Sequence, residues 1–183
     1  MKKTVRLFLC AILLGNLLVG CGKENTDNTQ PTNNSEVASD TPHFQNPLEI
    51  EEYQLEMNGI IIAMNMEMAE ILDKMGEPTK YFESDSCGFQ GKDKVYTYGS
   101  IVIKTYPKND VDYVYNVELK DRTVATRENL KIGDSKEAVL AIYGEPTKST
   151  DYAMKYRKKD CELVFIIEDG KRVSSIVYNA IVE

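Results

Sequence analysis

Gly76-Glu77-Pro78-Thr79-Lys80 and Gly144-Glu145-Pro146-Thr147-Lys148 are the same five residues, placed 68 positions apart. Identity over consecutive positions at one fixed offset is the mark of an internal duplication. Upstream of each copy apolar residues recur at helical spacing: Met68, Ile71, Leu72 and Met75 in the first, Val139, Leu140 and Tyr143 in the second. Both helices are expected to stop at the glycine, which accepts a left-handed backbone, and the proline two residues later has no N–H with which to continue. The second helix also has a start signal, Asp134 with Glu137 three residues on, the pattern of a capping box.

Downstream of each copy the apolar period changes from helical to two, as in half-buried antiparallel strands. The first unit reads as strands over Val95–Tyr98, Ile101–Tyr106 and Tyr113–Leu119. The second reads as Tyr152–Tyr156, Cys161–Glu168 and Arg172–Asn179. Gly99-Ser100, residues 107–110 and Asp169-Gly170 supply turn chemistry between them. Ahead of both units, Asn58-Gly59 separates Tyr53–Met57 from Ile60–Met64, a strong hairpin signal. Aligning the last strands, Val117 with Ile176, gives an offset of 59, so the first unit carries nine extra residues. They fall near 84–92, a polar loop containing Cys87 and two glycines. The expected architecture is therefore an α+β, two-layer domain: two tandem α-β-β-β units sharing one antiparallel sheet, with both helices on one face. Unit 1 spans 48–122 and unit 2 spans 123–183, each too short to bury an ample core alone.

The N-terminal segment reads differently. Residues 1–20 have Lys2, Lys3 and Arg6 ahead of an apolar run, the layout of a signal peptide, and that run is too short to span a bilayer. Leu18-Val19-Gly20-Cys21 resembles the lipobox of bacterial lipoproteins. The resemblance implies cleavage before Cys21 and a diacylglycerol on its sulfur, so the chain is expected to be exported and lipid-anchored to the outer face of a bacterial membrane. Two or more acyl chains hold a protein firmly where one holds it marginally. Residues 21–47 are rich in Asn, Thr, Ser, Asp and Glu and poor in large apolar groups, a composition expected to form a disordered tether. The globular domain is then 48–183.

Composition narrows the function. The formal charge of −7 becomes −10 once Lys2, Lys3 and Arg6 are removed, which disfavours nucleic acid, whose binding depends on neutralising phosphates. The single histidine, His43, lies in the tether, so 48–183 has none for a Ser-His-Asp or Cys-His centre. With Cys87 and Cys161 as its thiols, the domain cannot build a four-cysteine zinc site. Asp110 and Asp112 flank Val111 as an Asp-x-Asp fragment, which lacks the rest of a calcium loop. No metal, cofactor or catalytic residue is expected, and the chain is expected not to be an enzyme.

The run Ile132-Gly133-Asp134-Ser135-Lys136-Glu137-Ala138-Val139, continued by Tyr143-Gly144-Glu145-Pro146-Thr147 and set behind a lipobox, resembles a known superfamily. It comprises the β-lactamase inhibitory proteins and the small envelope lipoproteins of the SmpA/OmlA (BamE-like) type. In the first unit Asn65-Met66 stands in place of Gly133-Asp134. The resemblance implies an interaction module that grips a protein partner on the open face of its sheet. It also implies a disulfide within each repeat, a pattern that one cysteine per unit does not reproduce.

Strand alternation places Ile101, Ile103, Val117, Leu119, Leu163, Phe165, Ile167, Ile176 and Tyr178 toward the helices. Val102, Lys104, Tyr106, Glu118, Glu162, Val164, Ile166 and Glu168 then face outward. The candidate partner-binding residues are Tyr96, Tyr98, Val102, Lys104, Tyr106, Val164 and Ile166, because tyrosines give large contact area at low rotamer cost. Tyr113 and Tyr115 share parity with Val117 and are expected in the core. Cys87 and Cys161 either form a disulfide between the units or remain thiols, Cys161 as a small apolar residue. The expected function is a surface-anchored module binding an unknown protein; a structural role in envelope assembly and capture of a small ligand are the alternatives.

Overall fold

The structure is a computed structural model and describes residues 51–181. The expected signal peptide and tether, with Cys21 and His43, lie outside the described residues. The chain opens with strands β1 (Leu55–Met57) and β2 (Ile60–Ile62), followed by helix α1 (Met68–Met75). Strands β3 (Lys80–Asp85), β4 (Lys92–Tyr98), β5 (Ile101–Lys108) and β6 (Val111–Leu119) come next. Helix α2 (Lys136–Tyr143) precedes β7 (Lys148–Ser149), β8 (Ala153–Lys158), β9 (Cys161–Glu168) and β10 (Arg172–Ala180). β1 and β2 pair as a separate hairpin; the other eight form one antiparallel sheet in the order β3-β4-β5-β6-β10-β9-β8-β7.

This arrangement corrects the expected α+β fold of two α-β-β-β units with helices layered over the sheet. The described chain is mostly β, and its two helices have eight residues each. Two turns of helix, roughly 12 Å long, cannot cover eight strands spaced about 4.8 Å apart. The β1–β2 hairpin and the segment 124–130 share the inner face instead, contributing Leu55, Ile62, Val124 and Leu130 to the core. Four strands follow each helix rather than three. The additional ones, β3 and β7, are edge strands whose side chains are almost all exposed, so no buried alternation announces them.

The glycines at the helix ends act as required by their backbone. Gly76 has φ 73° and ψ −160°, Gly144 φ 72° and ψ −153°, a region that is essentially glycine's alone. Their N–H groups donate to Leu72 and Leu140 at 2.8 and 2.9 Å, closing each helix. Nothing lies near the position a Cβ would take, so backbone conformation and not crowding is what demands glycine. At the start of α2 the cap is Ser135, whose Oγ accepts from the Ala138 N–H at 3.1 Å. Asp134, the expected cap, instead accepts from the Lys131 N–H at 2.8 Å. Asn58-Gly59 closes β1 to β2 with both residues at positive φ, as a two-residue hairpin requires.

Ile101, Leu119, Ile176 and Phe165 lie side by side across β5, β6, β10 and β9, and all are fully buried. Below them sit Met68 and Ile71 of α1 and Val139 of α2. β6 pairs with β10 through Val117–Tyr178 and Leu119–Ile176, so one continuous interior spans both halves of the sheet.

Candidate functional site

The helices, the β1–β2 hairpin and the 124–130 segment pack on the inner face, which leaves the other face open apart from Phe89, laid over Tyr106. Register fixes which residues occupy it. Lys155, Val164, Val177, Glu118, Val102 and Thr97 stand side by side on β8, β9, β10, β6, β5 and β4. The neighbouring row is Arg157, Glu162, Asn179, Asn116, Lys104, Val95 and Phe82. Ile166, opposite Ala153 and Ser175, belongs to the same face. Apolar side chains therefore fall in two groups on this face, Val164, Val177 and Ile166 on β9 and β10 and Val102 and Val95 on β5 and β4, with Glu118 between them.

Of the seven candidate partner-binding residues, the structure brings five together here. Val102, Lys104, Tyr106, Val164 and Ile166 share the open face. Val164 and Tyr106 are nearly covered, at 5% and 6% exposure, yet neither belongs to the main core, whereas Ile166 is 36% exposed. Tyr96 and Tyr98 lie on the opposite face. Tyr96 pairs with Ile103 and is in the core, and the Tyr98 hydroxyl donates to the Gly76 carbonyl at 3.0 Å. Burial raises both hydroxyls above their ordinary values. Neither can meet a partner docked on the open face.

Tyr113 and Tyr115 go the other way. Lys104 pairs with Asn116 but Thr105 pairs with Val114, so Tyr115 is the extra residue of a β-bulge. A bulge reverses parity along the strand: Val114 turns inward, fully buried, and Tyr113 turns outward opposite Tyr106. The rings of Tyr113 and Tyr115 lie 5.9 and 6.5 Å from that of Tyr106. Their expected core placement is thus overturned by one inserted residue, which alternation alone does not reveal. Val177 was legible by parity with Ile176 and Tyr178; Phe82, on an unrecognised edge strand and 63% exposed, was not.

Electrostatics on this face are local. Lys155 pairs with Glu162 at 2.8 Å and Lys120 with Glu118 at 3.0 Å. Both pairs are part-exposed and add little stability, so their role is to set the polarity of the surface. Asn116 donates to Asn179 Oδ1 at 2.8 Å across the β6–β10 seam.

The remaining candidates separate. Cys87 is exposed and Cys161 buried, and both are free thiols, so the bond between the units is not formed. Cys161 faces the core opposite Ala180, where burial pushes its thiol up to about 12. Asp112 pairs with Lys94 at 2.6 Å. Among the described residues no three His, Cys, Asp or Glu side chains are grouped to hold a metal. A cleft of about 530 Å³ lies beside the Asn58-Gly59 turn, lined by Glu56, Ser100, Thr123 and Arg127 among others.

No family model matches the sequence, and no curated protein does. Among solved structures, one match is an extracellular protein containing an SCP domain from Bacillus anthracis str. Ames, determined at 1.5 Å resolution. It superposes with a TM-score of 0.39 at 11% identity, over 64% of this chain and 44% of that one. So partial a superposition assigns neither fold nor function. No helix among the described residues is long and apolar enough to cross a membrane.

Proposed function

We propose that the chain is an exported lipoprotein, anchored through Cys21, whose domain binds a protein partner across the open face of its sheet. The observation that carries this reading is the one-sided covering of the sheet. Helices, hairpin and the 124–130 segment all pack on one side, while Val164, Val177 and Ile166 form an apolar group on the other, with Val102 beyond Glu118. An apolar surface interrupted by Glu118 and bordered by Lys104, Lys155 and Glu162 has the mixed polarity of a non-obligate protein interface. The lipobox resemblance supplies the anchor, and the acidic balance of the mature chain leaves the lipid as the means of membrane attachment.

Purified full-length protein carrying Val102→Asp or Ile166→Asp should fold normally and lose its partners in pull-downs from host envelopes. Equal recovery by wild type and both variants would contradict the proposal. Tyr106 is unsuited to this test because it is packed beneath Phe89, and charging it would disturb the fold. For the anchor, radiolabelled palmitate should enter the wild-type chain and the Cys10→Ser variant, and be absent from Cys21→Ser. Label retained in Cys21→Ser would overturn lipidation at that residue.

A further inference from the structure

The nine residues by which the first unit exceeds the second build a small pocket. β3 and β4 pair through six rungs, from Lys80–Thr97 to Asp85–Lys92, where β7 and β8 pair through two. The loop at the far end, 86–91, is held in one shape. The Ser86 N–H donates to the Gly91 carbonyl at 3.0 Å, and Ser86 Oγ accepts from the Gly88 and Phe89 N–H groups at 3.4 and 3.2 Å. Gly91 has φ 124° and lies against Pro107, where a Cβ would come within 3.0 Å of the ring. These constraints lay Phe89 over Tyr106, ring centroids 4.9 Å apart. Between Phe89, Tyr106 and Tyr115 is a cavity of about 170 Å³ whose wall includes Asp93.

The chemistry of that wall is selective. Aromatic faces attract cations through their quadrupoles, and a carboxylate adds a full opposite charge. Part of the hydrogen-bonding capacity is already committed: the Tyr106 hydroxyl donates to Asn65 at 3.1 Å, and Ser86 Oγ serves the two loop amides. No described cation forms an ion pair with Asp93. Asp93 and Tyr115 line the same cavity, and burial, then the nearby Asp93 charge, raise the Tyr115 hydroxyl above its ordinary value. Three rings, one free carboxylate and few open acceptors suit a cation that needs no hydrogen bonds.

We infer that the pocket formed by Phe89, Tyr106, Tyr115 and Asp93 binds a quaternary ammonium group. It stands apart from the protein-binding reading, since its ligand is small and its residues lie at one end of β4, β5 and β6. The same headgroup is presented by a free solute such as choline or by a choline lipid. The test is calorimetric titration of the full-length chain with tetramethylammonium chloride, choline chloride and short-chain phosphatidylcholine. Saturable binding of both small cations is expected, weakened roughly tenfold by Asp93→Asn and by Phe89→Ala. 3,3-Dimethylbutan-1-ol, the uncharged isostere of choline, should bind about tenfold more weakly than choline. Phe89 is exposed, so Phe89→Ala should leave the thermal transition unchanged and its effect is read on binding alone. Tighter binding of phosphatidylcholine assigns the lipid as source, and tighter binding of choline the solute; either upholds the site. Absence of saturation by either small cation, or equal binding of the isostere and by Asp93→Asn, would overturn it.

Discussion

The two halves of the sheet share a backbone frame and differ in what they hang on it. Gly76 and Gly144 have nearly the same dihedral angles, and each carbonyl accepts from a tyrosine hydroxyl, Tyr98 and Tyr156, at 3.0 Å. The chain entering α1 bonds from the Asn65 N–H to the Val114 carbonyl at 2.8 Å; the chain entering α2 bonds from Gly133 to Val173 at 2.7 Å. Asn65 and Gly133 both adopt positive φ, which asparagine tolerates better than most residues, so Asn65 keeps a conformation the other half gives to glycine. Each half has a bulge, at Tyr115 and at Ser174. On that common frame the first half presents Tyr113 and Tyr115 where the second presents Arg172 and Ser174. Backbone hydrogen bonding constrains the frame, whereas outward side chains and the β3–β4 loop are free to carry recognition.

The largest expected effect concerns the interior that the halves share. Phe165→Ala should cost about 3–5 kcal/mol and Ile101→Ala about 2–5 kcal/mol, because each opens a cavity in a fully buried row. Both should lower one common thermal transition. Two transitions, each sensitive to one substitution, would break the picture of a single core.

Alkali should act next most strongly, and on both halves, since burial also raises Tyr96 and Tyr98 of the first. Cys161 is raised to about 12 and Tyr156 to about 12 by burial, and Tyr143 and Tyr178 are raised further still. The folded state therefore keeps protons that the unfolded chain releases. Stability is whole below the ordinary thiol value near 9 and falls as pH rises toward 12. Chemical denaturation at several pH values should show this decline, and in native protein Cys87 should alkylate well before Cys161. A flat profile from pH 8 to about 11 would contradict the buried placement.

Gly76→Ala and Gly144→Ala should each cost about 1–3 kcal/mol, the strain of placing a Cβ in glycine's region. The equality of the two is the informative point, since it compares the same turn in both halves. The helix starts give the smallest effect and an opposite sign. Ser135→Ala should lose about 1 kcal/mol, while Glu67→Ser should gain up to about 1 kcal/mol, because α1 has no side-chain cap at Glu67. Thermal melts of the pair measure both.

What the sequence displays depends on burial. The helix stops, the Asn58-Gly59 turn and the inward row of Ile101, Leu119, Ile176 and Phe165 were legible, since burial and backbone demand write directly into residue type. The edge strands β3 and β7 were not, because an exposed strand has no reason to alternate. That gap, with the shortness of the helices, is why a helix-covered α+β fold was expected. The outward turn of Tyr113 and Tyr115 was hidden by a bulge without a glycine or proline to signal it. Phe89 and Asp93 came together through a loop whose shape is set by hydrogen bonds to Ser86, which spacing does not encode.

The most direct test of partner binding through the open face is site-specific photo-crosslinking in living cells. A crosslinkable side chain at Val102, Val177 or Ile166 should give discrete adducts with a partner, and the same group at Asp73 on α1 should give none. Adducts from Asp73 with none from the three sheet positions would contradict the account.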